Sequence, residues 1–165
     1  MQPPTSSFLQ QPFAAGPDLI PMARIACDVG SLVSLGDAPK GERRYVPLTG
    51  GVVAGPELNG RIQAGGADWQ VARRDGVLEI AAHYVIETDD GALVEVQSTG
   101  LRHGPPEVMA RLAAGQAVQA SEYFFRTLVC FTTGHAQWLH LNKVMAIARG
   151  QRQARQVLLE LYRLT

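Results

Sequence analysis

The fold is decided by the fifteen residues 83–97, which read HYVIETDDGALVEVQ. Two runs of alternating residues flank the turn Asp89-Asp90-Gly91, and an Asp-Gly pair supplies the positive φ angles of a tight hairpin. The same device recurs at Asp75-Gly76, and short runs separated by frequent glycines are typical of antiparallel all-β proteins. Because full closure hides the edges of many strands, we predict a closed antiparallel barrel of about eight to ten strands.

One helix is predicted to interrupt these strands. Pro105 and Pro106 suit its first turn, and Gly115 ends it. Its apolar residues need a surface to cover, so we predict a lid or plug at one end of the barrel. Strands are then predicted to resume at 122–131, 138–148 and 155–164. The apolar residues with helical spacing are Val108, Met109 and Leu112.

Composition narrows the class of protein. The 165 residues suit one domain, and 15 basic residues balance 15 acidic ones, which argues against nucleic-acid binding. The sequence has no run of 18 apolar residues, so no membrane-spanning segment is predicted. Two cysteines are too few for a disulfide scaffold, and no secretory signal is recognisable, so we expect a cytoplasmic protein without a membrane partner.

The first 21 residues differ from the rest. They hold five of the ten prolines and one charge, Asp18. We predict an extended or disordered arm over residues 1–21, followed by a single barrel domain over residues 22–165. Docking of this arm onto a second subunit of a homo-oligomer stays open as an alternative.

Alternation assigns Arg102 to the interior. One face of the two hairpin strands carries Leu78, Ile80, Ala82, Tyr84 and Ile86, then Val94, Val96, Ser98, Gly100 and Arg102. A buried guanidinium needs a carboxylate partner. Three candidates exist: Asp68 beside Trp69 ranks first, Glu122 second, and the turn pair Asp89 and Asp90 third.

The sequence has no cofactor or metal motif. Phosphate-binding and dinucleotide-binding glycine loops are both missing, as are Gly-x-Ser-x-Gly, Cys-x-x-Cys and His-Glu-x-x-His. The four histidines are scattered along the chain. We therefore expect neither a metal ion nor a cofactor.

Several motifs resemble one known family. They are Gly65-Gly66-Ala67-Asp68-Trp69-Gln70, Thr88-Asp89-Asp90-Gly91-Ala92, Gly100-x-Arg102-His103-Gly104-Pro105-Pro106, Ser121-Glu122-Tyr123-Phe124-Phe125-Arg126, and Trp138-Leu139 with Asn142. The likeness is to the family called domain of unknown function 3237, or uncharacterised protein family 0311, and it runs from about Ile25 to Tyr162. The resemblance implies a small, mostly bacterial antiparallel β-barrel with no established general activity.

Two functions fit these residues. The first is a cofactor-independent lyase or isomerase that acts on a small hydrophobic or aromatic carbonyl compound, with Asp68, Tyr84, Arg102 and Glu122 as catalytic candidates. The second is a non-catalytic carrier or sensor of a small hydrophobic ligand. The candidate ligand-binding residues are Trp69, Phe124, Trp138 and Asn142. For the three aromatic ones, a place in the core is the favoured interpretation and ligand binding the alternative.

Overall fold

The structure is a computed structural model that describes residues 7–165. Ten strands and one α-helix make up most of it, with short 3₁₀ turns between them. The strands are β1 (Leu19–Val29), β2 (Val33–Ala38), β3 (Gly41–Ala54), β4 (Gly60–Ile62), β5 (Gly66–Arg73), β6 (Leu78–Thr88), β7 (Leu93–His103), β8 (Phe124–Thr132), β9 (Met145–Arg152) and β10 (Gln156–Leu164). The helix α1 spans Pro106–Ala113.

Eight of the strands close into an antiparallel barrel, as the sequence predicts. The ring runs β1-β10-β9-β8-β7-β6-β5-β3 and returns to β1. The long strand β3 makes closure possible because its two halves have different neighbours. Its first half pairs with β2 and β5, and its second half pairs with β1 and β4. The short strands β2 and β4 are therefore additions to the eight-stranded ring.

The hairpin predicted at residues 83–97 joins β6 to β7. Gly91 has a φ of +84° in its turn, a conformation that glycine adopts without steric cost. The two strands pair from Glu87 opposite Leu93 to Leu78 opposite Arg102, which makes this hairpin the longest unbroken ladder of the barrel. The second predicted turn, at Asp75-Gly76, joins β5 to β6.

Alternation correctly identifies the interior faces of β6 and β7. Every second residue of β6 from Leu78 to Thr88 is buried or partly buried, and β7 buries Val94, Val96 and Ser98 in the same way. Arg102 continues that row toward one end of the barrel. These side chains form one hydrophobic core with residues from every other strand of the ring, and this core leaves a cavity at the end where Arg102 lies.

The helix covers that end of the barrel, as predicted for a lid or plug. Val108 and Leu112 are buried in the core cluster, and Met109 packs against it. Glu107 lies in the first turn, where a negative charge is favourable. Gly115, with a φ of +73°, stops the helix two residues after Ala113.

Two sequence-based boundaries differ from the structure. Ala136–Lys143 form 3₁₀ turns that take up the first six residues of the strand predicted at 138–148, and β9 begins only at Met145. Asn142 stabilises the turns with two hydrogen bonds to the Thr133 backbone, at 2.8 and 2.9 Å. At the other terminus, β1 begins at Leu19, three residues before the predicted domain boundary, because residues 19–21 pair with the end of β10. Ser7–Gln10 form a 3₁₀ turn, residues 11–18 have no regular structure, and residues 1–6 of the predicted arm lie outside the described residues.

Candidate functional site

A cavity lies inside the barrel beneath the helix-covered end. It has a volume of about 50 Å³ and mostly apolar walls, which include both hairpin strands β6 and β7. Polar groups are few and converge on it, an arrangement typical of small-molecule sites. The lining residues are Cys27, Val29, Val46, Leu48, Asp68, Gln70, Ile80, Ala82, Tyr84, Ser98, Arg102, Phe125, Thr127, Arg152, Val157 and Leu159.

A wider cleft continues from this cavity toward solvent. It has a volume of about 360 Å³ and lies between α1 and the open ends of β3, β5 and β6. Four residues line both spaces and thus form the passage between them: Val46, Gln70, Arg102 and Arg152. Met109 and Leu112 of the helix form part of the cleft wall. The helix therefore stands at the entrance to the cavity.

Asp68 supplies the carboxylate of the cavity. Its position on β5 turns its side chain inward, whereas its neighbour Trp69 turns outward. The carboxylate accepts hydrogen bonds from Gln70 Nε2 at 2.6 Å and from the backbone N–H of Ala81 at 3.2 Å. Burial raises the pKa of Asp68, and these two hydrogen bonds offset part of the increase. Each carboxylate oxygen keeps a lone pair for a ligand.

Gln70 connects Asp68 to an arginine. Its side chain is buried, and its Oε1 accepts a hydrogen bond from Arg44 Nε at 3.0 Å while its Nε2 donates to Asp68. Arg44 also approaches Glu42 at 3.4 Å. The two contacts fix the orientation of the Gln70 amide, because only Nε2 can donate to a carboxylate. The chain Arg44–Gln70–Asp68 therefore holds the carboxylate in one position.

Arg102 lies at the passage without a carboxylate partner. Its Nε is buried and, within residues 7–165, has no hydrogen-bond acceptor; its guanidinium lies over the Phe125 ring, 5.7 Å from the centroid. Burial and, to a smaller extent, the charge of Arg152 lower the pKa of Arg102 to about 10. A charge in this environment is costly unless something pairs with it.

The predicted ion pair between Arg102 and Asp68 is wrong. No ion pair joins them within 4.0 Å in the described part of the chain, although they line the same cavity. The reason is register: Asp68 lies opposite Ala82 of β6, whereas Arg102 lies opposite Leu78. These two positions are four residues apart along β6, which corresponds to about 13 Å of strand. Alternation places both side chains inside but says nothing of their height in the barrel.

Arg152 is the second cation at the passage. It ends strand β9, and its Nη1 donates to the carbonyl oxygen of Gln156 at 3.3 Å. Burial lowers its pKa, while Asp68 has the opposite and smaller effect. Its backbone N–H donates to the Tyr123 hydroxyl at 2.8 Å, which fixes this end of β9 beside the helix-covered end of the barrel.

Four further polar side chains line the cavity deeper inside. Tyr84 is buried, and burial raises the pKa of its hydroxyl, which stays protonated. Ser98 donates a hydrogen bond of 2.8 Å to Thr127, so these two hydroxyls satisfy each other. Cys27 has a thiol pKa raised to about 12, chiefly by burial, which keeps it uncharged. Tyr84 is thus the deep group best suited to donate to a ligand oxygen.

Glu122 lies outside this cavity, contrary to the prediction. It precedes β8 and accepts hydrogen bonds from Arg111 at 2.5 Å and from the Gln119 backbone at 2.9 Å. The contact with Arg111 holds the pKa of Glu122 below its usual range. These contacts tie the segment after α1 to the helix. Glu122 is therefore a structural carboxylate on the outside of the barrel.

The four residues predicted to bind ligand also lie away from the cavity. Trp69 is 37% exposed on the outer face, against Tyr45 at 4.8 Å and Arg43 at 5.3 Å. Phe124 is 41% exposed and stacks on His103. The other two side chains make hydrogen bonds in loops: Trp138 Nε1 donates to Asp90 at 3.0 Å, and Asn142 bonds to the Thr133 backbone.

Phe124 shows why alternation does not identify the inner face of β8. The run FFRTLVCF has apolar residues at both parities, so the pattern does not tell which face is inside. The structure buries Phe125, Val129 and Phe131 and exposes Phe124 and Leu128. One signal was available in the sequence. The face of Phe124 carries the charged Arg126, whereas the one polar residue on the opposite face is the uncharged Thr127.

Arg44, Gln70, Phe125 and Arg152 are the site residues that sequence reasoning did not select. Gln70 shares the parity of Asp68 and could have been found by that signal. Arg44 and Arg152 belong to distant strands with arginines at both parities, so only the closed barrel shows which of them turn inward.

Within 7–165, no group of three or more His, Cys, Asp or Glu side chains is placed to hold a metal ion. No helix in the same range has the length and apolar character needed to span a membrane.

The fold and the cavity define a small antiparallel β-barrel with a polar centre in an apolar interior. The sequence model of the family described as "Protein of unknown function (DUF3237)" matches residues 17–164. The chain belongs to this family.

A bacterial relative and a solved bacterial structure are similar to this chain over most of its length. A UPF0311 protein of Rhodopseudomonas palustris is 36% identical over 138 residues, which cover 84% of this chain and 90% of that protein. The crystal structure of a conserved protein of unknown function from R. palustris has a TM-score of 0.87 at 31% identity, over 93% of this chain and all of that one.

A fungal protein sequence and a fungal crystal structure are more distantly similar to this chain. A protein of Penicillium herquei named hydroalkoxylation enzyme is 43% identical over 49 residues, 30% of this chain and 32% of that protein. A crystal structure of an enzyme from P. herquei has a TM-score of 0.71 at 22% identity, over 94% of this chain and 99% of that one. At this identity the likeness concerns the fold alone.

Proposed function

We propose that the barrel binds a small hydrophobic or aromatic carbonyl compound and acts on it as a cofactor-independent lyase or isomerase. The observation that carries the proposal is the position of Asp68, a carboxylate with a raised pKa that lines an apolar cavity with Tyr84 and Arg102. Such a set suffices to move a proton next to a carbonyl group.

Asp68 is the base in this reaction. Desolvation makes its carboxylate a stronger base than an exposed aspartate, and the hydrogen bonds from Gln70 and Ala81 hold it in place. The proton leaves the carbon beside the substrate carbonyl for an Asp68 oxygen. The electron pair of the C–H bond forms a carbon–carbon double bond, and the π pair of the carbonyl moves onto its oxygen. Return of the proton to another carbon isomerises the substrate; loss of a leaving group from the next carbon completes a lyase reaction.

Tyr84 stabilises the enolate oxygen directly, whereas Arg102 acts from the passage through its charge alone. The Tyr84 hydroxyl is protonated and can donate a hydrogen bond to the developing oxyanion. Arg102 is too far along the barrel to hold Asp68, so its charge is available to the substrate. A positive charge in an apolar cavity acts more strongly than it would in water.

The P. herquei relative supports the type of chemistry. Hydroalkoxylation adds an O–H bond across a carbon–carbon double bond. The reaction transfers a proton without net oxidation or reduction. This partial similarity to a protein of that name favours proton transfer as the chemistry of the present cavity.

A non-catalytic carrier or sensor is the second candidate. Both oxygens of Asp68 already accept hydrogen bonds from the protein, as they do in carboxylates that hold a fold. In that case the cavity and the adjoining cleft together bind the same compounds and leave them unchanged.

Exchange of acidic C–H hydrogens in D₂O tests the proposal. Phenylacetone and 2-tetralone are neutral aromatic ketones with acidic benzylic hydrogens, and proton NMR follows both their binding and their deuteration. We expect the wild-type protein to accelerate exchange and Asp68→Asn to reduce the acceleration by about a hundredfold or more, with binding retained.

Asp89→Asn is the matched control. This variant also replaces a carboxylate with an amide, but at an exposed turn, so its exchange rate should equal that of the wild type. Binding of either ketone without accelerated exchange would favour the carrier. An exchange rate in Asp68→Asn equal to that of the wild type would contradict the assigned base.

A further inference from the structure

We infer that the ligand carries an anionic group, a carboxylate on an apolar body, which Arg102 and Arg152 bind together at the passage between cavity and cleft. The inference deepens the proposed function by naming the substrate class, and it rests on that function only for the location of the ligand. Its basis is the charge balance and the unused hydrogen-bonding capacity of these two arginines.

The charges at the passage do not balance. Two of the arginines in the cleft have acidic neighbours: Arg44 approaches Glu42 at 3.4 Å, and Arg73 approaches Glu79 at 3.5 Å. Arg102 and Arg152 have no ion pair within the described residues, and Asp68 is the one carboxylate of the cavity lining. Two cations against one carboxylate leave a net charge of about +1 in a largely apolar space. One bound anion would neutralise it.

Hydrogen-bonding capacity points to the same ligand. Arg102 Nε is the one buried side-chain nitrogen or oxygen atom in residues 7–165 without a hydrogen-bond partner. A guanidinium presents a planar set of donors that fits a carboxylate through two parallel hydrogen bonds. The Arg152 guanidinium donates to the Gln156 carbonyl and has further donors free to meet the same anion.

The mutual effect of the two arginines explains why both are needed. Each is partly buried, and the charge of Arg152 is the second cause of the lowered pKa of Arg102. Two like charges that repel each other in an apolar site attract an anion between them more strongly than either does alone. An anion there would relieve both the burial and the repulsion.

The surroundings require the anion to have an apolar body. Val46, Leu78, Met109 and Leu112 line the cleft beside the two arginines, and the cavity beyond them is mostly apolar. The cavity alone is too small for an aromatic ring, whereas the cleft has the size of an ordinary ligand pocket. An aromatic or aliphatic carboxylate would fill this space and place its acid group at the passage.

Matched acids and amides test the charge requirement without any catalysis. Benzoate, phenylacetate and 3-phenylpropionate are titrated into the full-length protein by calorimetry, each beside its neutral primary amide. We expect at least one acid to bind about tenfold or more tightly than its amide. Inorganic phosphate serves as a further probe, and binding of phosphate as tight as that of the best acid would overturn the requirement for an apolar body.

Arginine variants locate the effect. Arg102→Met and, separately, Arg152→Met should each weaken binding of the best acid by about tenfold and leave binding of its amide within about twofold. Arg102→Lys keeps the charge without the planar donor set and should give an intermediate loss. Arg149→Met is the matched control, because Arg149 is exposed on the outer face of β9 and should not matter.

Failure of the inference differs from failure of the proposed function. If no acid binds more tightly than its amide, or if the Arg102 and Arg152 variants bind the acid as the wild type does, the anionic class is wrong. The ketone exchange experiment uses neutral compounds and Asp68→Asn, so its outcome is independent of these titrations.

Discussion

Replacing Arg102 with methionine should stabilise the protein in the absence of ligand. Burial and Arg152 lower the pKa of Arg102 to about 10, well below the ordinary value of an arginine. At 1.36 kcal/mol for each pH unit of difference, the folded protein loses about 3 kcal/mol by keeping this side chain charged at neutral pH. Methionine keeps most of the apolar stem and removes that cost.

Other contributions reduce the gain only in part. The guanidinium lies over the Phe125 ring, and loss of this contact costs about 0.5–1 kcal/mol. We therefore expect Arg102→Met to raise the free energy of unfolding by about 2 kcal/mol, in the range measured when buried charges give way to apolar side chains. For a chain of this size the melting temperature should rise by about 4–8 °C.

Urea unfolding at neutral pH measures this change. The two tryptophans provide the fluorescence signal, and the midpoint should move to higher urea at an unchanged slope. Arg149→Met should shift the free energy of unfolding by less than about 0.5 kcal/mol, as an exposed substitution does. A loss of more than about 1 kcal/mol in Arg102→Met would refute the reasoning, because it would mean that Arg102 is already paired in the free protein.

Three further outcomes are expected. The pKa of Asp68 in the folded state is raised above its ordinary 3.8, so between that value and the raised pKa the folded state binds more protons than the unfolded state. The free energy of unfolding should therefore fall as the pH rises across this window, and it should fall less in Asp68→Asn. Urea midpoints at a series of pH values measure this change. Gly150→Ala would place a Cβ 2.5 Å from the Phe125 ring; it should destabilise the protein by about 1–3 kcal/mol and push the ring into the cavity, which a loss of 3-phenylpropionate binding would detect. Labelling with a thiol reagent should modify the exposed Cys130 in the native protein and the buried Cys27, whose thiol pKa is about 12, only after unfolding; two reactive thiols in native protein would contradict the burial of Cys27.

The acid–amide titrations and the stability of Arg102→Met depend on the same property. An arginine that lacks a partner in the free protein destabilises the fold and provides binding energy for an anion. Stability is commonly sacrificed at binding sites in this way. We expect Arg102→Met to be more stable than the wild type and to bind acids no more tightly than their amides. Both results would then follow from the removal of one buried charge.

The sequence determined much of the architecture. The turn at Asp89-Asp90-Gly91 and the alternation on both sides of it predict the β6–β7 hairpin and its interior face, and the paired prolines and Gly115 predict the helix. These signals are local: turn chemistry and the period of two both depend on neighbours along the chain. The inward direction of Arg102 follows from the same alternation.

The composition of the site depended on the tertiary structure. The ladder of β5, β6 and β7 decides that Asp68 and Arg102 lie about 13 Å apart along the strands and do not pair. Barrel closure also decides that Phe125 faces inward while Phe124 faces outward, and it brings Arg152 from the far end of the chain to the side of Arg102. The physical reason is that alternation fixes the face of a strand on which a side chain lies, whereas height in the barrel and the neighbour across it depend on strand register and closure, to which residues far apart in sequence contribute.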